Sequence, residues 1–397
     1  MFQRPIYLNQ LIQFKDSDFI KVITGVRRSG KSVLLMLFKE QLKQEGVPED
    51  HIIYINFESF EYQTITTEEK FRDQLNKLLP KDNKKIYLLL DEIQVVKGWQ
   101  RVVNGVRVSF DSDIIITGSN ANMLSGELAT LLSGRYIEIP IYPLSFREFL
   151  SVKGIERDSR KVDSAYNEYE KYGGFPSVVI AEESIKDTIL SGIFDTIVLN
   201  DVALRSGVKD PTALKSIISF LADNVGQLVN ASKIVNTLKS EGVETTTHTV
   251  NRYLDLLENG YLFYRAKQYD IRRREYLRTN GKYFIVDAGL RRNAIGRKDG
   301  NYSNRLENIV YIELLRRGYT VDVGRLDRKE IDFVARKLDE TLYVQVAYEL
   351  PNNTHETDNL LNIKDNYKKI VVTGRYHDVE QIDGIPIIYI ADWLLSD

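Results

Sequence analysis

The chain has 397 residues, of which 43% are hydrophobic and 28% charged, so it is long enough for about two to four globular domains. Its net charge of −2 excludes a global field that attracts nucleic acid or a membrane, so any such attraction has to be local. The chain contains no cysteine, which excludes disulfide bonds and thiolate metal sites.

No apolar run approaches the length of a membrane span, and the first residues, MFQRPIY, lack the apolar region of a signal peptide. These features predict a cytoplasmic protein without a membrane partner. The histidines lack metal-site spacing, and we expect each of them on the surface or at a helix cap: His51, His248, His355 and His377.

The segment GVRRSGKS, residues 25–32, fits the pattern G-x-x-x-x-G-K-S. An apolar strand pattern precedes it and a helix pattern without Gly or Pro follows, which is the context of a phosphate-binding loop. The pattern predicts that Lys31 reaches the β- and γ-phosphates of ATP and that the Ser32 hydroxyl binds Mg²⁺. The predicted nucleotide-binding residues are Gly25, Arg27, Arg28, Ser29, Gly30, Lys31, Ser32 and Val33.

A second strand pattern, KIYLLLDE over residues 85–92, ends in two acids. Asp91 is predicted to bind Mg²⁺ at the strand's carboxyl end, and Glu92 to polarise the attacking water. A third strand, over residues 113–120, ends in small polar groups. Ser119 or Asn120 is predicted to orient the water beside the γ-phosphate, and the alternative is an ordinary polar strand end.

Residues 1–145 alternate strands and helices, as a doubly wound parallel sheet does. The following residues, 146–208, have a helical pattern that the segment YGGFP at 172–176 interrupts with a turn. Residues 209–278 are predicted to form a winged helix, with three helices and then a β-ribbon. Residues 279–397 read as a separate α/β domain with one amphipathic helix and five strands.

The chain is locally basic between Arg265 and Lys298, where tyrosines are interleaved with the arginines and lysines. Together with Asn251 and Arg252 on the third helix of the predicted winged helix, this pattern predicts binding of double-stranded DNA. The alternatives are a solvated surface or an interface with the first domain. The residues singled out for DNA contact are Asn251, Arg252, Arg272, Arg273 and Arg274.

Six segments, GVRRSGKS, LLLDEIQ, IIITGSN, LLSGRYIEI, YPLSFREF and YGGFP, resemble in order a family of prokaryotic AAA+-like ATPases related to the archaeal ATPases. The resemblance implies an α/β fold with a P-loop NTPase core over residues 1–145, a helical lid over 146–208, and ATP and Mg²⁺ as cofactors. It also implies that Pro176 packs near the adenine in the lid. The alternative for Pro176 is a plain turn between helices.

Arg135 matches a Gly-Arg pair of this family, and an arginine there often acts as a finger on a neighbour's γ-phosphate. Such a finger would act within a homo-oligomer, and the sequence does not tell the oligomeric state. The alternative is a surface arginine paired with Glu138 or Glu148.

The C-terminal domain resembles the PD-(D/E)xK nucleases through Glu307, Asp332 and Gln345, so a restriction-endonuclease-like fold is expected over residues 279–397. That chemistry needs carboxylates for Mg²⁺ and a lysine. Gln345 is a poor metal ligand and Ala347 carries no charge where the lysine is expected. Unless the lysine has migrated, for example to Lys364 or Lys368, nuclease activity is not expected.

Taken together, the sequence predicts an AAA+-like ATPase that hydrolyses ATP with Mg²⁺ and acts on, or is regulated by, DNA. The alternative is a nucleotide-gated regulatory protein with slow turnover that binds a protein partner.

Overall fold

The computed structural model of the chain describes residues 2–124, 134–204, 208, 210–296, 302–349 and 355–396. The contacts divide it into two compact units. The first unit is Met1–Tyr142 with Asn259–Tyr261, and the second is Pro143–Glu258 with Leu262–Asp397.

The first unit is a parallel sheet of five strands with helices on both faces. Its strands are β1 (Ile20–Thr24), β2 (Ile52–Asn56), β3 (Ile86–Asp91), β4 (Ser112–Thr117) and β5 (Tyr136–Pro140). Its helices are α1 (Pro5–Gln13), α2 (Lys31–Gln44), α3 (Glu68–Leu78) and α4 (Trp99–Ser109). The strand order is β2-β3-β4-β1-β5, and every pair is parallel. The predicted α/β core with a parallel sheet is thereby confirmed.

Two apolar cores cover the faces of this sheet, because successive side chains of a strand point to opposite faces. On one face Val22 packs with Phe71 of α3 and Trp99 of α4. On the other face Ile23 packs with Leu34 and Phe38 of α2. Strands β1 and β3 are buried along their whole length, as their continuous apolar runs indicate.

The second unit begins with helices and continues into a long sheet. Its helices are α5 (Phe146–Lys153), α6 (Val162–Tyr172), α7 (Pro176–Val179), α8 (Glu183–Thr196), α9 (Pro211–Asp223), α10 (Ala231–Ser240), α11 (Thr247–Asn259), α12 (Ala288–Ala294), α13 (Tyr302–Arg316), α14 (His355–Leu361) and α15 (Ile390–Leu395). A π-helical stretch, Ile197–Leu204, follows α8. No helix in the described residues is both long enough and apolar enough to span a membrane.

The strands of the second unit form one sheet in the order β13-β14-β12-β11-β10-β9-β7-β8-β6. They are β6 (Leu228–Val229), β7 (Phe263–Asp270), β8 (Glu275–Ile285), β9 (Thr320–Leu326), β10 (Lys329–Lys337), β11 (Glu340–Ala347), β12 (Lys368–Thr373), β13 (Gln381–Ile382) and β14 (Ile385–Tyr389). The five strands predicted in the C-terminal region are present.

The domain boundary predicted after residue 278 falls inside β8. Strand β7 pairs with β8 on one side and in parallel with β9 on the other. The ribbon of the predicted winged helix and the strands of the predicted nuclease-like region therefore belong to one hydrogen-bonded sheet. The division of the chain into four domains stays a prediction.

A buried ion pair joins two central strands of the first unit. The Lys21 Nζ of β1 lies 2.8 Å from the Asp113 Oδ1 of β4, and both side chains are at most 1% exposed. Asp113 Oδ2 also accepts a hydrogen bond of 2.6 Å from the backbone N–H of Asp16. A buried charge needs a partner, so removing either member of the pair leaves the other uncompensated.

Asp113→Asn should therefore lower the free energy of unfolding of the first unit by about 3–5 kcal/mol. The matched control is Asp111→Asn, because the Asp111 carboxylate is exposed and lies 3.5 Å from Lys85, where a loss of about 0–1 kcal/mol is expected. Urea unfolding in a Trp393→Phe background measures this, since Trp99 then reports on the first unit alone. Equal losses of unfolding free energy in Asp113→Asn and Asp111→Asn would contradict the stabilising role of the buried Lys21–Asp113 pair.

Candidate nucleotide-binding site

The loop from Gly25 to Gly30 joins the carboxyl end of β1 to the N-terminus of α2. Gly25 has φ +137°, and a Cβ there would lie 2.1 Å from the carbonyl oxygen of Ile141, so no other residue fits without displacing that backbone. Gly30 caps α2 in the left-handed region with φ 104°. The free N–H groups and the dipole at the N-terminus of α2 therefore favour the binding of an anion at this loop.

Lys31 holds its charge inside the loop. Its side chain is 3% exposed, and its Nζ donates to the carbonyl oxygens of Gly25 at 3.1 Å and Val26 at 3.3 Å. The same Nζ lies 3.6 Å from Glu92 Oε1. The structure thus places a buried ammonium where the sequence pattern requires one.

Asp91 is the hub of the polar contacts beside the loop. It is fully buried at the end of β3, where Oδ2 accepts hydrogen bonds from Asn56 Nδ2 at 3.1 Å and from the Tyr54 hydroxyl at 3.2 Å. Burial raises the pKa of Asp91, and the nearby hydroxyls of Thr117 and Ser32 oppose that rise. The two residues predicted to bind metal are thereby neighbours, and a hydroxyl with a carboxylate is a ligand set that suits Mg²⁺.

Thr117 connects β1, the strand that leads into the loop, to Asp91 and Glu92. It ends β4, which lies between β1 and β3, and it is paired in register with Ile23. Its hydroxyl donates to Asp91 Oδ1 at 2.6 Å and accepts from the backbone N–H of Glu92 at 2.9 Å. The sequence analysis missed this residue and singled out Ser119 and Asn120 instead. The sequence pattern that could have identified Thr117 is its position as the last residue of an apolar strand.

Glu92 has φ 54°, in the left-handed region that is costly for a side chain other than glycine. Its carboxylate accepts hydrogen bonds from Gln94 Nε2 and, at 3.4 Å, from the Ser119 hydroxyl. Of the two predicted water-orienting residues, Ser119 thus contacts the predicted base. Asn120 is half-buried in the next position, and its carbonyl oxygen accepts from the Met123 N–H at 3.1 Å.

Arg4 braces the loop from the start of the chain, which the sequence analysis also missed. It is 2% exposed, and its guanidinium donates to the carbonyl oxygens of Ser29 at 2.7 Å and Tyr142 at 2.9 Å. The buried Ser29 hydroxyl has no hydrogen-bond partner among the described residues. A buried polar atom without a partner is uncommon, so this hydroxyl is available to a bound ligand.

The other predicted loop residues lie at its rim. Arg27 pairs with Glu58, Arg28 is exposed with φ 66°, and Val33 is half-buried in the first turn of α2.

Arg135 lies at the opposite end of the sheet from the loop. Its carbonyl oxygen accepts from the Ile20 N–H at the start of β1, and the loop follows the end of that strand, roughly 16 Å away. Its guanidinium lies 3.6 Å from Asp18. Within one chain it does not approach the loop, so the predicted action on a neighbour's phosphate stays a prediction.

Glu138 instead connects Thr24, the residue before the loop, to a distant segment. Its Oε1 accepts hydrogen bonds from the Thr24 hydroxyl at 2.6 Å and from the Tyr261 hydroxyl at 3.4 Å. Tyr261 is 7% exposed and belongs to the first unit. No local pattern predicts this contact, because Tyr261 and Glu138 are 123 residues apart.

Pro176 starts α7 in the second unit, directly after the turn formed by Gly173 and Gly174. The Gly174 N–H donates to Asp287 Oδ2 at 2.7 Å, and its carbonyl oxygen accepts from the Leu144 N–H at 2.7 Å. Burial raises the pKa of Asp287 to about 6. The segment thus links helices as a turn does, and a contact of Pro176 with adenine stays a prediction.

The residues predicted to contact DNA are exposed in the second unit. Asn251 and Arg252 lie on α11, and Arg272, Arg273 and Arg274 lie in the turn between β7 and β8. Arg272 is 2.9 Å from Asp327, and Arg273 is 3.6 Å from Glu275.

The basic stretch is less exposed than the sequence indicated. Lys282 and Arg291 are 2% exposed, so they do not belong to a basic surface. Strand β8 lies inside the sheet, and Arg291 Nε donates to the carbonyl oxygen of Ala222 at 2.9 Å. Arg297, Lys298 and the side chain of Arg278 lie outside the described residues.

Comparison with known proteins supports the reading of the first unit. Residues 17–150 match the AAA domain family, and residues 163–301 match a domain of unknown function, DUF8612. The chain is 68% identical to an uncharacterized protein of Haemophilus influenzae, over all of this chain and 99% of the other. It is 31% identical to the uncharacterized protein MJ1544 of Methanocaldococcus jannaschii, over 85% of this chain and 77% of the other.

Among solved structures, the chain is similar to the Walker-type ATPase PABY2304 of Pyrococcus abyssi. The TM-score is 0.51 at 14% identity, over 74% of this chain and 96% of the other. A likeness at this identity shows a shared fold.

Thr117→Val should lower the free energy of unfolding of the first unit by about 1–3 kcal/mol, because Asp91 and the Glu92 N–H lose a partner in a buried site. The control is Thr66→Val, whose side chain is exposed, with an expected change within about 0.5 kcal/mol. Urea unfolding in the Trp393→Phe background, where Trp99 reports on the first unit, measures both. An unchanged stability in Thr117→Val would show that its hydroxyl does not organise the acids.

Proposed function

Because the chain belongs to the family that includes its Haemophilus influenzae and Methanocaldococcus jannaschii relatives, and carries an AAA domain, we propose that it binds ATP with Mg²⁺ and hydrolyses it. The observation that carries the proposal is the meeting of Lys31, Ser32, Asp91 and Glu92 at one end of the sheet. Lysine, hydroxyl and two acids are the groups that phosphoryl transfer to water needs.

Each group has a distinct role in this proposal. The loop N–H groups and Lys31 hold the phosphates, and Ser32 and Asp91 would hold Mg²⁺, which would supply positive charge beside the phosphate oxygens. Glu92 polarises the attacking water, and its hydrogen bonds from Gln94 and Ser119 fix the direction of its carboxylate. Asn120 orients the same water.

Arg135 has a place in this proposal only through a second copy of the chain. It lies at the far end of β5 from the loop, so it would serve a neighbour's γ-phosphate in a homo-oligomer. Its pairing with the exposed Asp18 would then be exchanged for the phosphate.

Lys31→Ala should abolish tight binding of Mg-ATP, since the loop loses its buried cation. Lys39→Ala is the matched control, because Lys39 lies on the same helix, α2, but outside the loop. The affinity of this variant for Mg-ATP should stay unchanged.

Glu92→Gln should bind ATP nearly as wild type and hydrolyse it about 10²- to 10⁴-fold more slowly, since the amide cannot accept the proton. Calorimetric titration and phosphate release measure the two steps. Wild-type turnover in Glu92→Gln would assign the base to another residue.

We also propose that the second unit couples this ATPase to double-stranded DNA. Residues 211–285 follow the order helix, strand, helix, helix, strand, strand, and β8 pairs with both β6 and β7, which is the arrangement of a winged helix. In that fold the third helix enters the major groove, and here α11 exposes Asn251 and Arg252. The turn of the wing exposes three consecutive arginines, 272–274, for contact with phosphates.

Replacing Arg272, Arg273 and Arg274 together by alanine should reduce the slope of log K against log salt concentration by up to about 3, since each lost phosphate contact removes roughly 0.9. The control carries the same loss of charge at Arg157, Arg160 and Lys161, which are exposed elsewhere in the second unit, and should keep the slope. Binding of a labelled duplex across a salt series measures both.

ATP turnover with and without the duplex completes the test. Two results would favour the alternative, a nucleotide-gated protein with a protein partner. The triple variant would keep the wild-type salt slope, and the duplex would not change the rate of ATP turnover.

A further inference from the structure

A buried lysine stands at the centre of three carboxylates in the second unit. Lys282 Nζ, on β8, lies 2.8 Å from Glu330 Oε1, 3.1 Å from Glu307 Oε2 and 3.7 Å from Asp332 Oδ1. The lysine side chain is 2% exposed, and the side chains of Glu307 and Asp332 are 13% and 10% exposed. The acids come from α13 and β10, so three elements converge on one ammonium.

Glu307 and Asp332 hold two positions of the nuclease pattern, and Gln345 holds the third. Gln345 Oε1 accepts from the backbone N–H of Asp332 at 3.3 Å, and Asp332 Oδ2 accepts from the Val346 N–H at 2.8 Å. The amide that replaces the third carboxylate is therefore engaged with backbone. Among the described residues, the lysine that pairs with Glu307 and Asp332 is Lys282, and no ion pair joins Lys364 or Lys368 to them.

We propose that Lys282 is a built-in cation that stands where a divalent metal would otherwise bridge Glu307 and Asp332, so that the cluster binds no metal and cuts no nucleic acid. A metal ion would need carboxylate oxygens at about 2.0–2.6 Å around the position that the ammonium occupies. Two cations at that place would repel each other. In the described part of the chain, no group of three or more His, Cys, Asp or Glu side chains is arranged to hold a metal ion.

The electrostatics of the cluster agree with this geometry. Burial acts to lower the pKa of Lys282, but the carboxylates of Glu307, Asp332 and Glu330 outweigh it and raise that pKa above its ordinary value. The lysine is therefore charged at neutral pH. Burial, with Glu307 beside it, raises the pKa of Asp332, and Lys282 opposes that rise.

Gly226 and two neighbouring strands pack around the cluster. Gly226 packs against Glu307 so tightly that a Cβ there would lie 2.7 Å from Glu307 Oε2. Within the sheet, Lys282 pairs with Leu228 of β6 and Ala266 of β7. The ion cluster thus fastens strand β8 to β10 and α13.

The test compares Mn²⁺ binding by wild type and by Lys282→Met, which keeps the length of the side chain and removes its charge. Electron paramagnetic resonance without nucleotide counts the Mn²⁺ ions bound to the full chain. Any Mn²⁺ at Asp91 is bound by both proteins, so it does not contribute to the difference between their counts. We expect Lys282→Met to bind one more Mn²⁺ than wild type. The stability of the second unit is read from Trp393 in a Trp99→Phe background. In EDTA, the folded-to-unfolded ratio of Lys282→Met should be lower than that of the protein with Lys282. That ratio should rise about 100-fold when Mn²⁺ is at 100 times its dissociation constant.

Glu330→Gln is the matched control, since it removes a partner of Lys282 and keeps the ammonium, and it should gain no Mn²⁺. If Lys282→Met does not fold, wild type and Asp332→Asn decide, and equal Mn²⁺ counts support the proposal. Three results would overturn it. One is no gain of Mn²⁺ in a folded Lys282→Met. Another is a wild-type Mn²⁺ that Asp332→Asn loses. The third is Mn²⁺-dependent cleavage of duplex DNA by wild type that Asp332→Asn abolishes.

Discussion

The insertion of β4 between β1 and β3 is the constraint on which the nucleotide site depends. In a parallel sheet the carboxyl ends of neighbouring strands lie at the same edge, so the last residue of an inserted strand meets the ends of both neighbours. Thr117 is that residue. It is in register with Ile23, its hydroxyl donates to Asp91, and it accepts from the Glu92 N–H. One buried hydroxyl thus holds the Asp91 carboxylate and the Glu92 backbone beside the strand that leads into the loop.

Charge compensation explains why the loop keeps its shape. Buried ions are tolerated only when each has partners, and Lys31 has two loop carbonyls and Glu92. Arg4 holds the Ser29 carbonyl from another side. The chain therefore orders the loop with its own groups, and a phosphate meets N–H donors that need little rearrangement. The second unit uses the same rule at Lys282, where three acids partner one ammonium.

The extent to which sequence predicted this structure follows from the distance between partners along the chain. The loop, Asp91 and Glu92 were predictable, because each belongs to a pattern within one strand and its next turn. Thr117 and Arg4 were not, since their partners lie 26 and 25 residues away and depend on the order of the strands. Lys282 was counted with its basic neighbours, because nothing local shows that its strand is covered. Its nearest acid on α13 lies 25 residues further on.

Tyr261 shows most clearly what a local pattern cannot contain. In the segment YLFYRA it looks like the first residue of a strand, yet its backbone has φ 54°, which is unfavourable for a tyrosine. Such strain persists only where surrounding contacts compensate for it. Here the buried hydroxyl donates to Glu138, which also accepts from Thr24, the residue before the loop. Asn259–Tyr261 thus belong to the first unit, and Tyr261 lies beside Glu138 of β5, the neighbour of the strand that leads into the phosphate-binding loop.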